Sequence, residues 1–329
     1  MKVITFFNNK GGVGKTSLVY HLAWMFSDLN LRVLVADFDP QANLTASFID
    51  EDRLEQLWDL PGSTVNACIN PIVRGIGDFS PPHVEMVGDT IGLLAGDMGL
   101  SRFEDALSEA WPKCMDGQER AFRVISVFWR VLSDAAAKFQ ADVVLLDVGP
   151  NLGAINRSAL IASDYVVVPL APDLFSLQGL RNLGPTLRGW RADWAKRKVQ
   201  KPETAELILP EGNMQPVGYV VMQHAVRLNR PVKAYGRWMQ RIPAEYHGAV
   251  LGEPDGGVPS IEVDVHRLAS LKHYRSLMAL AQEARKPVFH LRSADGAIGG
   301  HAAYVSEART DFQKLAGCIA ERTGVTLPS

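Results

Sequence analysis

The sequence predicts an α/β fold, with a mostly parallel twisted sheet flanked by helices on both faces. Short apolar runs typical of strands buried on both faces recur along the chain. Segments with apolar residues at helical spacing lie between them, which is the alternation expected of a parallel sheet with crossover helices. Several of the runs end in carboxylates or in a glycine-rich loop. This is the edge at which open α/β sheets bind their ligands.

The first apolar run, Val3–Phe7, leads into the glycine-rich loop Asn8–Ser17, and apolar residues at helical spacing follow it. A strand, a glycine loop and a helix in this order form the context of a phosphate-binding loop. Glycines let backbone N–H groups point at phosphate oxygens, and the helix N-terminus adds partial positive charge. We expect Lys15 to reach the β- and γ-phosphates and Thr16 to ligate Mg²⁺.

Two further runs end in acidic residues. Arg32–Asp37 reads as a buried strand followed by Asp39, and Asp142–Asp147 reads as another. Because the carboxyl ends of parallel strands share one edge of the sheet, these carboxylates should lie near the phosphate loop. The second run is a Walker B pattern, so we expect Asp147 to coordinate Mg²⁺. Common turn or capping roles are the alternative for Asp37 and Asp39.

The segment Lys10–Thr16 resembles the deviant Walker A motif of the ParA/MinD ATPases, with the ParA (Soj-like) partitioning ATPases looking closest. The stretch that begins at Asp37 is similar to the Asp-x-Asp-Pro-Gln segment of ParA proteins, and Val148–Ala154 resembles the stretch after their Walker B motif. The resemblance implies that Lys10 is a signature lysine that reaches the phosphates of a partner subunit. It also implies that Asp39 orients the attacking water, while Asp37 supports the site around Mg²⁺.

The resemblance implies a P-loop fold and a slow ATPase that uses Mg²⁺ and forms an ATP-bound homodimer. The dimer would bind DNA non-specifically, partition or position DNA or another cargo, and respond to a ParB-like or cargo-bound stimulator. We then expect a cytoplasmic, nucleoid-associated protein with no membrane partner. The expected catalytic residues are Lys10, Lys15 and Asp39, and the expected metal site comprises Thr16, Asp37 and Asp147. The expected ATP-binding residues are Lys10, Gly11, Gly12, Val13, Gly14, Lys15, Thr16 and Ser17.

We expect a single domain over residues 1–329, with an acidic insert at about 46–120 and a basic C-terminal half at about 181–322. Within the insert, residues 50–119 carry 14 acidic and 4 basic side chains, although the net charge of the whole chain is only −2. Basic clusters in one half of the chain indicate a face that binds polyanions as one hypothesis, and solvated helix faces are the alternative interpretation. The location of DNA-contacting basic residues in the family suggests Lys272, Arg275 and Arg292.

Several local patterns give further expectations. Ser101–Glu104 could be a capping box that opens a helix ending near Trp111, and another helix is expected over about 118–139. Arg241–Pro243 resembles a strand end of the family, and Leu268–Arg285 reads as a helix. The loop that contacts the base in the family corresponds to Gln223–Arg227, where no base-reading residue is assigned.

Two other functions use the same fold. A MinD-like membrane-associated ATPase would need a basic amphipathic tail, whereas the chain ends without positive charge. Its last helix has an apolar face formed by Phe312, Leu315 and Ile319, which we expect to pack in the core. The second alternative is a metabolic enzyme, either an amide-forming ligase or a nitrogenase-type reductase. The reductase would need paired cluster-binding cysteines, and the three scattered cysteines do not provide them.

Overall fold

An eight-stranded sheet forms the centre of the computed structural model, which describes residues 1–60, 62–222, 232–253, 257–272, 274, 276–299 and 301–328. Seven strands run parallel, and the short edge strand β3 pairs antiparallel with β4. The predicted mostly parallel sheet is therefore confirmed. The strands are β1 (Val3–Phe6), β2 (Val33–Asp37), β3 (Glu85–Met86), β4 (Ile91–Leu94), β5 (Val143–Asp147), β6 (Tyr165–Leu170), β7 (Gln215–Met222) and β8 (Arg267–Leu271).

The strand order is β3-β4-β2-β5-β1-β6-β7-β8. Strand β5 lies between β2 and β1, and its last residue, Asp147, is in register with Asp37 on one side and Phe6 on the other. All three strands are fully buried, as expected for a sheet covered on both faces. The topology thus brings the phosphate loop after β1 and the carboxylates that end β2 and β5 to one edge.

Helices cover both faces of the sheet, and two hydrophobic cores lie beneath them. One core includes residues of α4 to α9, and the other includes residues of α1, α12 and α13. No helix within the described ranges is long and apolar enough to cross a bilayer. The helices are α1 (Lys15–Asp28), α2 (Asn43–Phe48), α3 (Glu51–Asp59), α4 (Val65–Arg74), α5 (Phe103–Lys113), α6 (Glu119–Ile125), α7 (Val127–Phe139), α8 (Ala154–Ile161), α9 (Leu174–Val199), α10 (Val232–Met239), α11 (Ile242–Glu245), α12 (Ser276–Glu283) and α13 (His301–Thr323). A π-helix covers Tyr246–Leu251, and short 3₁₀ helices cover Met98–Arg102, Val288–His290 and Ser293–Asp295.

The helix predicted over 118–139 is two helices, α6 and α7, which meet at the buried Ser126. Its hydroxyl donates a hydrogen bond to the carbonyl of Phe122 at 2.6 Å. The carbonyl of Ile125 accepts a hydrogen bond from the Ser158 hydroxyl of α8 at 2.8 Å. Side-chain hydroxyls that compete for backbone groups bend helices, which accounts for the break here.

The prediction of a helix over Leu268–Arg285 was wrong at its start, because Arg267–Leu271 forms strand β8 beside β7. The two leucines of β8 are three residues apart, so they fit a helical period as well as a short buried strand. Parallel pairing with β7 decides between the two. Arg241–Pro243, predicted to be a strand end, instead lies at the start of α11.

Gly184 lets α9 pack closely against the π-helix, since a Cβ there would lie 1.8 Å from the carbonyl oxygen of Ala249. We expect Gly184→Ala to lower the free energy of unfolding by about 1–3 kcal/mol, because backbone has to move to admit the methyl group. Gly189→Ala is the matched control on the same helix. A Cβ at Gly189 would meet nothing within 4 Å, so this variant should gain up to about 1 kcal/mol from helix propensity. Urea unfolding of both variants is the measurement, and equal stability of Gly184→Ala and wild type would contradict the packing.

Candidate active site

The loop between β1 and α1 has the backbone of a phosphate cradle. Gly12 and Gly14 have φ angles of 70° and 86°, in the left-handed region that favours glycine. The buried Asn8 holds the loop, because its Nδ2 donates to the carbonyl of Pro169 at 2.7 Å and its Oδ1 accepts from the N–H of Lys10 at 3.0 Å. Asn8 therefore fixes the start of the loop against the end of β6.

Lys15 and Thr16, the first two residues of α1, point towards the carboxylates at the strand ends. Lys15 is buried, and burial lowers the pKa of its ammonium group, while Asp147 and Asp39 act in the opposite direction. The Thr16 hydroxyl donates to Oδ2 of Asp147 at 2.7 Å. The structure thus brings Lys15, Thr16, Asp39 and Asp147 together, four of the residues that the sequence suggested.

Asp37 and Asp39 have different surroundings. Oδ2 of Asp37 accepts hydrogen bonds from the backbone N–H and the hydroxyl of Thr45 at 2.8 and 2.7 Å, and its Oδ1 accepts from the N–H of Asp39 at 3.2 Å. Its carboxylate therefore holds the turn that follows β2. Asp39 is 9% exposed, and its Oδ1 accepts from the N–H of Gln41 at 3.0 Å. Both oxygens of Asp37, which the sequence suggested for the metal site, thus accept hydrogen bonds from the turn, whereas Asp39 lies close enough to Lys15 to affect its pKa.

Asp147 has the surroundings expected of a cation ligand. Its Oδ1 is buried and, among the described residues, has no hydrogen-bond partner. Burial, and then the nearby Asp37, raise the pKa of this carboxyl group. Burial also raises the pKa of Asp37. A buried, unpartnered carboxylate oxygen beside a threonine hydroxyl suits Mg²⁺, which prefers oxygen ligands, and its charge would offset the mutual repulsion of the two carboxylates.

Lys10 points away from this cluster, although it belongs to the same loop. Its ammonium group forms an ion pair with Asp173, the N-cap residue of α9. The other carboxylate oxygen of Asp173 accepts from the N–H of Ser176 at 2.9 Å. Asp173 is not among the site residues expected from the sequence, although an aspartate just before a helix is a recognisable capping signal.

A cavity of about 360 Å³ opens beside Thr16 and Ser17, between α1, α2 and α12. Arg285 and Lys286 line it, together with the side chain of Tyr20. None of the described residues that line the cavity is acidic, although the ammonium group of Lys286 pairs with Asp295 at 2.7 Å. Arg285 belongs to the basic C-terminal half expected from the sequence, and the fold brings it next to the phosphate loop.

The residues proposed to contact DNA are only partly described. Lys272 forms an ion pair with Glu307 of α13, and the exposed Arg292 precedes a short 3₁₀ helix. Arg275 and the loop Gln223–Arg227 lie outside the described residues. Other basic side chains of the C-terminal half also have acidic partners, namely Arg181 with Glu245 at 2.5 Å and Lys198 with Glu211 at 2.8 Å. These pairs offset part of the positive charge expected for a DNA-binding face.

Residues 1–200 match the AAA_31 family, which is described as an AAA domain. The chain belongs to this family. It is 31% identical to protein IncC of Escherichia coli over 196 residues, which make up 60% of this chain and 48% of IncC. The chain thus spans about half the length of that relative. The expected likeness to the ParA/MinD family is confirmed.

Two solved structures share the fold across nearly the whole chain. Protein DIP2308 from Corynebacterium diphtheriae has a TM-score of 0.72 and 24% identity, with 98% of each chain covered. A putative plasmid partition protein from Borrelia burgdorferi, bound to AMPPNP, has a TM-score of 0.60 and 16% identity, with 98% of this chain and 99% of that chain covered. At these identities the likeness supports the fold, which is that of ParA-like P-loop proteins.

We expect Asp147→Asn to raise the thermal stability of the ligand-free protein, because burying an uncharged amide beside Asp37 costs less free energy than burying a carboxylate there. The same change should remove most of the stabilisation that Mg²⁺ and ATP give to the wild type. Thermal unfolding with and without Mg²⁺ and ATP measures both effects. Asp134→Asn, at a half-exposed pair with Lys138, is the charge-matched control and should change neither. Unaltered Mg²⁺ stabilisation in Asp147→Asn would contradict the metal assignment.

Proposed function

We propose that the protein is a Mg²⁺-dependent ATPase that forms an ATP-bound homodimer and partitions or positions DNA or another cargo. The observation that carries this proposal is the meeting of Lys15, Thr16, Asp39 and Asp147 beside a glycine loop with left-handed turns. Family membership supports a partitioning or positioning ATPase. ATP and Mg²⁺ are the proposed ligands.

The residues of the site have distinct proposed tasks. The backbone N–H groups of the loop and the ammonium group of Lys15 stabilise negative charge on the transferring phosphoryl group. Asp39 accepts a hydrogen bond from the attacking water and orients it. Thr16 and Asp147 hold Mg²⁺, which when bound neutralises charge on the phosphate oxygens. Burial of the strand ends excludes other water, and this strengthens each of these electrostatic interactions.

A second copy of the chain completes the proposed site. Lys10 lies at the edge of the phosphate loop, half-exposed, and is paired with Asp173 instead of with its own cluster. Two large apolar side chains follow Asp173 at the start of α9, and they are exposed, Leu174 by 51% and Phe175 by 73%. Exposed apolar side chains next to the partner of Lys10 suit a face that a second copy covers on binding ATP. Lys10 would then exchange Asp173 for the phosphates held by the partner.

Non-specific DNA binding is the proposed output of this dimer. The basic C-terminal half supports it through charge, and the exposed Arg292 has the required accessibility. Ion pairs such as Lys272 with Glu307 weigh against a strongly basic surface on one copy. Two copies side by side double the charge that faces a polyanion. The proposal therefore makes binding dependent on the ATP-bound dimer.

The apolar face of α13 bears on the membrane-associated alternative. Phe312, Leu315 and Ile319 are buried in the core that also contains α1. This burial was expected from the sequence. In this conformation the face is not available to a lipid surface, so the observation favours DNA over a membrane as the proposed anchor.

Lys10→Ala should abolish ATP-dependent dimerisation and lower ATP hydrolysis by about tenfold or more, because the partner's phosphates lose a positive charge. Analytical ultracentrifugation with ATP, ADP and no nucleotide, together with phosphate release, measures the two effects. Asp173→Asn is the matched control. Asparagine caps a helix as well as aspartate does, so α9 stays intact while Lys10 is freed, and dimerisation should persist or become easier. Unchanged dimerisation and hydrolysis in Lys10→Ala would refute the role of Lys10.

DNA co-sedimentation should show binding with ATP and little with ADP or without nucleotide. The logarithm of the affinity should fall linearly with the logarithm of the salt concentration, because binding releases counterions from phosphates. Replacing Lys272, Arg275 and Arg292 with alanine should flatten that salt dependence by roughly one unit of slope for each phosphate that is no longer neutralised. Lys113→Ala with Lys138→Ala, in the other half of the chain, is the control. Binding to anionic liposomes in place of DNA would favour the membrane-associated alternative.

A further inference from the structure

Glu104 of α5 joins two parts of the chain that are far apart in sequence. Its carboxylate accepts a hydrogen bond from the backbone N–H of Ala154, and its Oε2 accepts one from the N–H of Ile155 at 2.9 Å. Both N–H groups belong to the first turn of α8. Glu104 therefore does not close the capping box that the sequence suggested for its own helix. It lies in the first turn of α5, and the residue before that helix makes no side-chain cap.

Helix α8 depends on this contact because it has no cap of its own. Its N-cap residue is Gly153, which has no side chain to accept the unpaired N–H groups of the first turn. The negative charge of Glu104 also suits the positive end of the helix dipole. The Glu104 carboxylate can approach the start of α8 because residue 153 is glycine, since a Cβ there would lie 2.7 Å from Oε1 of Glu104. The backbone at Gly153 is otherwise extended, so other residues fit its conformation.

The loop 148–153 lies between this anchor and the proposed active site. At its far end it continues directly from Asp147, the last residue of β5. Near that end it lies against the site, because a Cβ at Gly149 would be 3.5 Å from Oδ1 of Asp39. The buried Asn156 of α8 also holds the loop, because its Nδ2 donates hydrogen bonds to the carbonyls of Gly149 and Asn151 at 2.8 and 2.6 Å. A shift of the first turn of α8 is thus transmitted to atoms that face Asp39.

We propose that Glu104 is a positioning residue, which ties the loop 148–153 to α5 and so couples the acidic segment 46–120 to the proposed hydrolytic site. The kinetic part of this inference rests on the proposed ATPase function. The structural part does not, because it concerns how firmly the loop is held. A purely stabilising cap on α8 is the competing explanation, and the experiment separates the two.

Hydrogen–deuterium exchange tests the structural part without any need for hydrolysis. In Glu104→Ala and Glu104→Gln, amides of residues 149–155 should exchange several times faster than in the wild type, while peptides from β1 and α13 stay unchanged. Asp105→Asn is the matched control, because it removes the same charge from the same turn of α5 at an exposed position. Its exchange over 149–155 should equal that of the wild type. Equal exchange in the Glu104 variants and the wild type would overturn the proposal.

A double variant distinguishes positioning from capping. Removing the Glu104 side chain takes away the nearest contact of a Cβ at residue 153, and the other, Oδ1 of Asn151 at 2.8 Å, is the end of an exposed side chain that can turn away. Glu104→Ala with Gly153→Ser therefore gives α8 a local serine cap while α5 stays detached. Asn151→Ala shows what the loss of the Asn151 contacts does by itself. Thermal stability should return towards that of the wild type. Fast exchange over 149–155 should persist, and kcat for ATP hydrolysis should stay about tenfold low with little change in KM. If exchange and kcat recover together with stability, Glu104 is only a cap.

Different results would refute the proposed ATPase function and the positioning role of Glu104. A wild-type protein that hydrolyses no ATP would refute the proposed function, and the exchange comparison would still decide whether Glu104 holds the loop. A wild type that hydrolyses ATP, with a double variant that matches its kcat and its exchange, would refute the positioning role alone.

Discussion

Two carboxylates at the ends of neighbouring parallel strands constrain the rest of the site. Asp37 and Asp147 are in register on β2 and β5, and both are fully buried. Burial raises the pKa of each carboxyl group, and the charge of Asp37 adds to the rise at Asp147. The folded chain therefore has to supply compensating donors and cations. Thr45 satisfies Asp37, while Lys15 and Thr16 face Asp147. One oxygen of Asp147 has no hydrogen-bond partner among the described residues, and this oxygen suits the proposed Mg²⁺ site.

The pairing of Lys10 with Asp173 suits the proposed change from monomer to ATP-bound dimer. Both side chains are partly exposed, at 27% and 20%, and such ion pairs contribute about 1 kcal/mol or less. The pair therefore orders the Lys10 side chain at the edge of the phosphate loop. Breaking the pair costs little free energy when Lys10 changes its partner. Phosphate oxygens carry more charge than one carboxylate, so they would compete well for the same ammonium group. The contacts of ATP would thus differ between the free chain and the proposed dimer, as a population shift requires.

The sequence predicted the centre of the structure better than its edges. Strands β1, β2 and β5 come from short runs that are almost entirely apolar, and a strand buried on both faces is the one interpretation of such runs. Strand β8 was read as a helix because its leucines fit either period, and pairing with β7 decides its form. The partners of Lys10 and Glu104 lie 163 and about 50 residues away. No local pattern specifies such contacts, because they depend on how the helices pack.

The acidic segment gains a physical connection to the site through Glu104. The sequence indicated only that this segment is acidic, yet one of its carboxylates accepts hydrogen bonds from the first turn of α8. That turn also carries Asn156, which holds the loop beside Asp39. Two independent braces on a loop of six residues leave it little freedom while both are in place. A partner that binds and moves α5 would release one brace without touching the nucleotide. The segment therefore has the geometry needed to influence the proposed hydrolysis from outside the site.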